Sequence, residues 1–368
     1  MENIIAKSDK PSVSRAGLII FSAILIAAII LVPASAVLAH SPIFPGENHS
    51  PSTAYEITDP AKSWAIYTWL EGEGSADYYK FTISKGEKIQ VSLIAPDSPS
   101  HSGFLPAFAL VGHGITQHDS VPDYVEVPSG YGTIVVDGAD PGKAVYEPFT
   151  PGWFYEIGTL TMNAPSDGTY FVAVFNPELH YDTDNHIHEA NGYAIIVGYV
   201  EEFTPLELIL IPYRVHGIYI WEGQNQLIIF LPILLVVIIG GMIACRRSKR
   251  GQHPRGISKW LAAFGGLAFL GTAAGTIYQI LFAFTRTGIT VEAFITLAIV
   301  IVSIILGVIT LRYALRSKPI LTIWRRVGLL VIGLVALFIW SGLYLGPSLL
   351  IAASLVPPYN QNIRNPIE

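Results

Sequence analysis

One uninterrupted apolar run constrains this chain more than any other feature. From Gln226 to Cys245 the sequence carries no charged residue and is mostly apolar, and it continues directly into a basic stretch, Arg246, Arg247, Lys249 and Arg250. A helix of this length spans the hydrocarbon core of a bilayer. Because Lys and Arg concentrate on cytoplasmic loops near membrane ends, the basic stretch predicts that this end is cytoplasmic and that the preceding residues lie outside.

The composition divides the chain at the same point. A mean hydropathy of +0.47 with 14% charged residues is more apolar than expected for a soluble chain of 368 residues. Residues 40–225 contain 24 Asp and Glu against 6 Lys and Arg, so this part is acidic and the remainder is basic. The negative charge disfavours nucleic acid and anionic lipid as partners. The single cysteine, Cys245, excludes an intrachain disulfide.

Residues 1–39 are predicted to be a signal peptide or an uncleaved signal anchor. Basic residues precede an apolar run from Leu18 to Val32, and Val37 and Ala39 fit the usual spacing before a signal-peptidase cut. The segment is also long enough to cross a bilayer uncut. Both alternatives predict that His40 lies outside the membrane.

Period-two alternation predicts an all-β sandwich over residues 40–203. Ile89, Val91 and Leu93 alternate with less apolar neighbours, and residues 85–87 supply a Gly-containing turn before them. The other predicted strands are 64–70, 77–83, 107–111, 133–137, 155–162, 169–176 and 192–201. Many short strands separated by Gly, Pro, Asn and Asp favour an antiparallel sandwich.

Four of these stretches resemble the bacterial pre-peptidase C-terminal domain. They are SADYYKFT at 75–82, KGE at 85–87, GTYFVAV at 168–174 and GYAI at 192–195. That family is a small jelly-roll β-sandwich, usually a non-catalytic appendage of secreted enzymes, and some related modules bind calcium or polymer ligands. The resemblance implies a jelly-roll-like fold without a catalytic site of its own. Residues 100–158 are predicted to be a long insertion, and a membrane domain stands where a peptidase would be expected.

A connector helix is predicted over residues 204–225. Thr204 and Glu207 fit a capping box around Pro205, and Pro212 is expected to bend the helix. Two placements remain open. The helix either docks on the sandwich or lies at the outer membrane surface with three aromatic residues at headgroup depth, Tyr213, Tyr219 and Trp221.

The rest of the chain, residues 226–356, is predicted to be an α-helical membrane bundle. Its four helices cover about 226–245, 261–284, 293–311 and 327–345. The loops 246–259 and 312–326 are rich in Lys and Arg, which predicts that both are cytoplasmic and that residues 40–225 are extracytoplasmic. Gly346-Pro347 is expected to end the last helix, which leaves a short re-entrant or interfacial piece before an outer tail, 357–368.

Small-residue spacing predicts close packing of the membrane helices. Gly271 with Gly275, and Gly342 with Gly346, form two GxxxG pairs. No ionisable residue lies deep within the predicted helices, and this disfavours an ion-coupled carrier or a pump.

Histidines provide the candidate metal ligands. The densest group lies in one polar loop and comprises His180, Asp182, Asp184, His186 and His188. On a strand His186 and His188 would share a face and could bind Zn or Cu, whereas the two aspartates suit Ca. The alternative is a solvated hairpin loop without metal. If the signal peptide is cut after Ala39, the α-amine and ring of His40 could chelate a Cu ion.

These features favour a membrane-anchored accessory or binding subunit over an enzyme. Its sandwich would bind a ligand or a partner protein of the membrane or envelope, and its helices would contact membrane lipid. Handling of copper or zinc is the first alternative. The second is an extracytoplasmic hydrolase with a non-standard site, since the familiar hydrolase, phosphate-binding and dinucleotide motifs are missing from the sequence.

Overall fold

The acidic half of the chain forms two β-sheets that face each other across a shared core. The computed structural model describes residues 40–70, 74–177, 192–249, 256–315 and 323–356, all within one structural unit. The predicted signal segment therefore lies outside the described residues. The strands are β1 (Ser41–Ile43), β2 (Tyr55–Glu56), β3 (Trp64–Trp69), β4 (Ala76–Ile83), β5 (Lys88–Ala95), β6 (Ala107–Gly112), β7 (Gly132–Val136), β8 (Val145–Glu147), β9 (Gly152–Asn163), β10 (Gly168–Phe175) and β11 (Gly192–Val197).

The strand order corrects the prediction of a purely antiparallel sandwich. One sheet has the order β1-β3-β11-β5-β9-β8 and the other β2-β4-β10-β6-β7. Among the strands named above, all pairings are antiparallel except β1 with β3 and β2 with β4, which are parallel. Both exceptions are very short strands at sheet edges that the sequence pattern did not predict. Pro42 within β1 is tolerated there because an edge strand need not donate from every backbone N–H.

The region 100–158, predicted to be a long insertion relative to the pre-peptidase C-terminal domain, supplies strands to both sheets. β6 pairs with β10 and with β7, and β9 pairs with β5. Its buried residues share one core with strands from the rest of the sandwich, including Phe81, Val91, Leu93, Phe108, Ile157 and Tyr193.

A buried carboxylate links the two sheets. Asp77 on β4 is 1% exposed, and its Oδ2 accepts a hydrogen bond of 2.6 Å from the hydroxyl of Tyr193 on β11. The Tyr193 hydroxyl also lies 2.7 Å from that of Tyr79, and Nδ1 of His49 lies 2.8 Å from Oδ1 of Asp77. The aspartate of the SADYYKFT stretch thus holds both sheets through charge-assisted hydrogen bonds.

Helices follow the sandwich, after one short helix within it. They are α1 (Pro99–Ser102), α2 (Pro205–Trp221), α3 (Gln226–Lys249), α4 (Ile257–Thr287), α5 (Ala293–Ala314), α6 (Ile323–Phe338) and α7 (Leu345–Leu355). Within the described residues, three helices are long and apolar enough to cross a membrane, over Gln226–Arg247, Ile257–Thr287 and Ala293–Ala314. The chain therefore has the helices of a membrane protein.

The last two helices differ from the predicted fourth span. α6 ends at Phe338, and the chain reverses through Trp340, Gly342 and Leu343, all at positive φ. The side chain of Arg326, near the start of α6, donates to the carbonyl oxygens of Ser354 and Leu355. The two helices therefore form a hairpin, and the reversal comes before the predicted Gly346-Pro347 break because Gly342 permits the left-handed backbone conformation. The predicted outer tail, 357–368, lies outside the described residues, but α7 ends beside Arg326.

Candidate ligand site at the junction of the sandwich and the helices

The sandwich packs directly against the ends of the helices. Trp153 on β9 contacts Phe282 of α4 edge-on, with ring centroids 5.2 Å apart, and Tyr146 on β8 lies 5.8 Å from Phe284. The Tyr146 hydroxyl is also 2.9 Å from Oγ1 of Thr296 on α5. These contacts join strands β8 and β9 to the end of α4 and the beginning of α5.

The connector helix α2 docks on the sandwich, which decides between its two predicted placements. The predicted capping box is confirmed: Thr204 and Glu207 exchange the expected hydrogen bonds. Both carboxylate oxygens of Glu207 lie 2.7 Å from Nζ of Lys62, so the cap is tied to the sandwich. At the other end, the Trp221 indole donates to the carbonyl of Tyr193.

Two of the aromatic residues predicted at headgroup depth are buried in protein instead. Tyr219 and Trp221 are 8% and 3% exposed, whereas Tyr213 is 72% exposed. Trp221 packs with Tyr67, Ile94 and other residues of the six-stranded sheet. The prediction was wrong for these two because sheet and membrane surface both favour aromatic side chains, so the sequence pattern does not separate them.

Two carboxylates lie in the junction. Glu222, directly after α2, accepts hydrogen bonds from the backbone N–H of Trp153 and from the side chain of Gln224. Gln224 exchanges hydrogen bonds of 2.9 and 3.0 Å with Gln279 of α4. Glu147 of β8 accepts from its neighbouring backbone and interacts electrostatically with Glu222. This polar network connects sheet, connector and membrane helix.

Burial raises the pKa of both carboxyls from 4.5 to about 8. For Glu222 burial is the main cause and the charge of Glu147 adds to it. For Glu147 burial is again the main cause, and the hydrogen bond from Phe149 opposes it. Both groups therefore bind protons at neutral pH, which a carboxyl in water does not.

Below this network lies a cavity of about 300 Å³, here called the junction cavity. Its wall combines Phe149 and Pro151 of the sandwich with residues of α2, α3, α4 and α5 and the reversal between α6 and α7. Most of the lining is apolar, with a few polar groups that include His216, Thr276, Gln279 and Ser303. An apolar cavity with a few convergent polar groups is the usual form of a small-molecule site.

A second cavity, of about 680 Å³, lies between α2 and the first strands of the sandwich, and is here called the connector cavity. Its lining includes Tyr55, Glu56 and Arg214. Tyr213 and His216 line both cavities and therefore separate them. Nη1 of Arg214 and Nδ1 of His216 are buried atoms without a hydrogen-bond partner in the described part of the chain.

The imidazole of His40 contacts a serine hydroxyl. Its Nδ1 lies 2.6 Å from Oγ of Ser63, and burial lowers the pKa of His40 to about 4, so the ring is neutral at neutral pH. A metal at Nδ1 would have to displace the Ser63 hydroxyl. The predicted loop ligands, His180, Asp182, Asp184, His186 and His188, lie outside the described residues. Among the residues that are described, no three His, Cys, Asp or Glu side chains are grouped as metal ligands.

Both glycine pairs lie where helices approach each other within this chain. Cβ atoms at Gly271 and Gly275 would lie 3.2 and 3.4 Å from Ile233 of α3. Cβ atoms at Gly342 and Gly346 would lie 2.5 and 2.8 Å from Phe269 of α4. The second pair belongs to the reversal and to the start of α7, not to one continuous helix as the sequence spacing suggested.

The residues that meet at the junction were not predicted from the sequence. Glu147 and Glu222 stand among many acidic residues, and no local pattern marks them as buried. The glycine at position 152 was one weak sequence signal of a close approach. In the structure a Cβ atom at Gly152 would overlap the carboxylate of Glu222. Arg214 and His216 were visible as ionisable groups in an apolar helix, but the cavities beside them are formed only by the packed helices and sheets.

A scan for known protein families found no match for the sequence. No curated protein sequence matches it either. Similar solved structures include two copper proteins. One is MopE, a secreted protein of Methylococcus capsulatus in which an oxidised tryptophan facilitates copper binding: 14% identity, 36% of this chain, 71% of that chain, TM-score 0.16. The other is CorA, a surface-associated copper-binding protein important in copper acquisition by Methylomicrobium album BG8: 12% identity, 44% of this chain, 97% of that chain, TM-score 0.19.

A third similar structure is the pre-peptidase C-terminal domain of the collagenase from Bacillus anthracis. It shares 16% identity with this chain, covers 42% of it and 95% of its own length, and has a TM-score of 0.21. The sequence motifs that resemble this domain lie on β4, on β10, on β11 and in the turn before β5 of the sandwich, which is joined to membrane-type helices.

Proposed function

We propose that the protein is a non-catalytic, membrane-anchored binding subunit that holds an apolar ligand in the junction cavity. The observation that carries this proposal is the cavity itself, whose wall is built by the sandwich, the connector and the membrane helices together. A ligand there touches both halves of the chain. Its binding would stabilise their packed arrangement, and a membrane or envelope protein that docks on the sandwich could sense it.

Filling the cavity is expected to remove ligand binding. Thr276→Phe on α4 places a ring in the cavity and should weaken binding of oleyl alcohol to the full chain at least about tenfold, or about 1.4 kcal/mol. Native mass spectrometry of the protein released from detergent micelles measures the bound fraction. Ile277→Phe is the matched control, because Ile277 is the next residue on the helix, is 39% exposed and does not line the cavity. Equal binding by both variants would contradict the proposal.

We further propose that the sandwich is extracytoplasmic. Thr296 at the start of α5 contacts the sandwich, and the basic residues Arg246 and Arg312 are at the other ends of their helices, so charge and fold support the same orientation. The single cysteine provides a test. In intact cells a membrane-impermeant maleimide should label Ser129→Cys in a Cys245→Ser background, but should not label Cys245 of the natural chain. Labelling of Cys245 but not of Ser129→Cys would show that the orientation is the opposite one.

Copper or zinc handling remains an alternative, with calcium as the third possible ion. His186→Ala combined with His188→Ala should remove about one equivalent of bound copper or zinc, since a site with two imidazole ligands loses most of its affinity without them. Elemental analysis of the purified full chain after metal loading and dialysis measures this, with exposed His118→Ala as the control. Natural protein that retains no metal would eliminate this alternative.

A further inference from the structure

The connector cavity is lined by Arg214, and one nitrogen of its guanidinium group has no hydrogen-bond partner in the described part of the chain. Two carboxylates also line it, but each is close to its own lysine: Glu207 pairs with Lys62 at 2.7 Å and Glu56 with Lys80 at 3.5 Å. Nη1 of Arg214 is buried and donates to no acceptor among the described residues. A buried guanidinium nitrogen without an acceptor is costly, so an anionic group from a ligand would find a prepared donor there.

The position of Arg214 relative to the junction cavity indicates the chemical class of such a ligand. Arg214 stands between Tyr213 and His216 on α2, and those two residues line both cavities. The Nδ1 atom of His216 is a second buried nitrogen without a partner in the described chain, and the ring packs on Phe230 with centroids 5.0 Å apart. The apolar junction cavity thus adjoins the connector cavity, which contains Arg214, and the side chains of Tyr213 and His216 lie between the two.

We infer that the ligand is an anionic lipid whose acyl chain occupies the junction cavity and whose headgroup binds Arg214. This inference rests on the proposed function, and adds the chemical class of the ligand to it. The headgroup is a carboxylate or a phosphate, since the guanidinium fork recognises both. Tyr213, which lines both cavities, is 72% exposed, and the apolar surface of α3 is exposed nearby in the chain, which suits a lipid interface.

The net acidity of residues 40–225 argued against an anionic lipid, and the local geometry reverses that expectation. Exposed charges farther than about 10 Å are largely screened at physiological salt. The partly buried guanidinium of Arg214 is screened less than an exposed charge, so it contributes more to the affinity for a ligand that reaches it. The acidic surface then affects the rate at which the ligand arrives more than the affinity of the bound state.

The test compares three probes that carry a similar chain: oleate, oleoyl lysophosphatidate and uncharged oleyl alcohol. Each is titrated into the full chain in neutral detergent, with the bound fraction read by native mass spectrometry. Both anions are expected to bind at least about tenfold more tightly than the alcohol. Arg214→Gln should remove that preference and leave alcohol binding unchanged, and Arg214→Lys should restore part of it. Arg312→Gln, an exposed cation at the other end of α5, is the control.

Each outcome decides a different point. Binding of only one anion would support the inference and identify the headgroup as carboxylate or phosphate. If all three probes bind equally and Arg214→Gln changes none of the three affinities, the inference is wrong, but the proposed binding of an apolar ligand in the junction cavity still stands. If no probe binds in a way that Thr276→Phe reduces, the proposed function fails as well. The comparison of anion with alcohol needs no variant, so it holds even if Arg214→Gln does not fold.

Discussion

Replacement of Asp77 by alanine is expected to destabilise the sandwich by about 3 kcal/mol, because it leaves buried donors without an acceptor. Asp77 accepts the hydroxyl of Tyr193 from the opposite sheet and interacts with His49. Without the carboxylate the two sheets keep their apolar core but lose this link. Urea unfolding of the full chain in detergent, followed by hydrogen exchange of the amides in β4 and β11, measures the loss.

Two variants define the specificity of this effect. Tyr193→Phe removes one hydrogen bond to the carboxylate and should cost about 1.5–3 kcal/mol, less than or similar to Asp77→Ala. Asp123→Ala removes an exposed aspartate and should change the free energy of unfolding by no more than about 0.5 kcal/mol. If Asp77→Ala unfolds at the same urea concentration as Asp123→Ala, the carboxylate does not hold the sheets together.

Raising the pH from 4.5 to about 8 is expected to weaken the contact between the sandwich and the helices. Burial raises the pKa of Glu147 and Glu222 from 4.5 to about 8. Within this window the unfolded chain has released both protons and the folded protein retains them, so each step up in pH favours unfolding. The stabilisation is complete below pH 4.5 and lost as the pH passes 8, at up to about 1.4 kcal/mol per pH unit for each group.

Glutamine cannot ionise, so a substitution of either glutamate by glutamine isolates the contribution of that residue to the pH dependence of unfolding. Glu222→Gln should remove about half of the pH dependence of unfolding, since two groups contribute to it. Hydrogen exchange of peptides from β9 and from the end of α4, corrected for the intrinsic effect of pH, reports on the junction itself. Exposed Glu202→Gln should leave the pH dependence unchanged. A junction equally protected at pH 5 and pH 8 would show that the carboxyls are not held protonated.

These two predictions concern the same property of the molecule, which is the rigidity of the sandwich and of its attachment. The sandwich is not tethered to the membrane helices by a linker alone. Tyr146 contacts Thr296 of α5 and Trp153 contacts Phe282 of α4, while Glu222 connects Trp153 through Gln224 to Gln279 of α4. A ligand enclosed at that contact can therefore affect both halves, as the proposed function requires.

Several elements were predictable because their cause is local. The period-two strands, the Thr204–Glu207 capping box and the long apolar helices each follow from neighbouring residues, and the structure has these strands, the cap and three of the four predicted spans. β1 and β2 were missed because strands of three and two residues carry too little pattern. The helical hairpin was missed because a reversal at Gly342 depends on contact with α4, where Thr272 accepts the backbone N–H of Gly342.

The sequence by itself determined that this protein combines a β-rich acidic half with membrane-type helices, since hydrophobic period and helix length are properties of consecutive residues. Only the tertiary structure decided where chemistry could occur. Glu147 lies far from Glu222 and Gln279 along the chain, and Arg214 lines a cavity together with residues of β1 and β2 that are also distant in sequence. Burial and the absence of a partner arise from residues that are distant in sequence, so no local pattern encodes them.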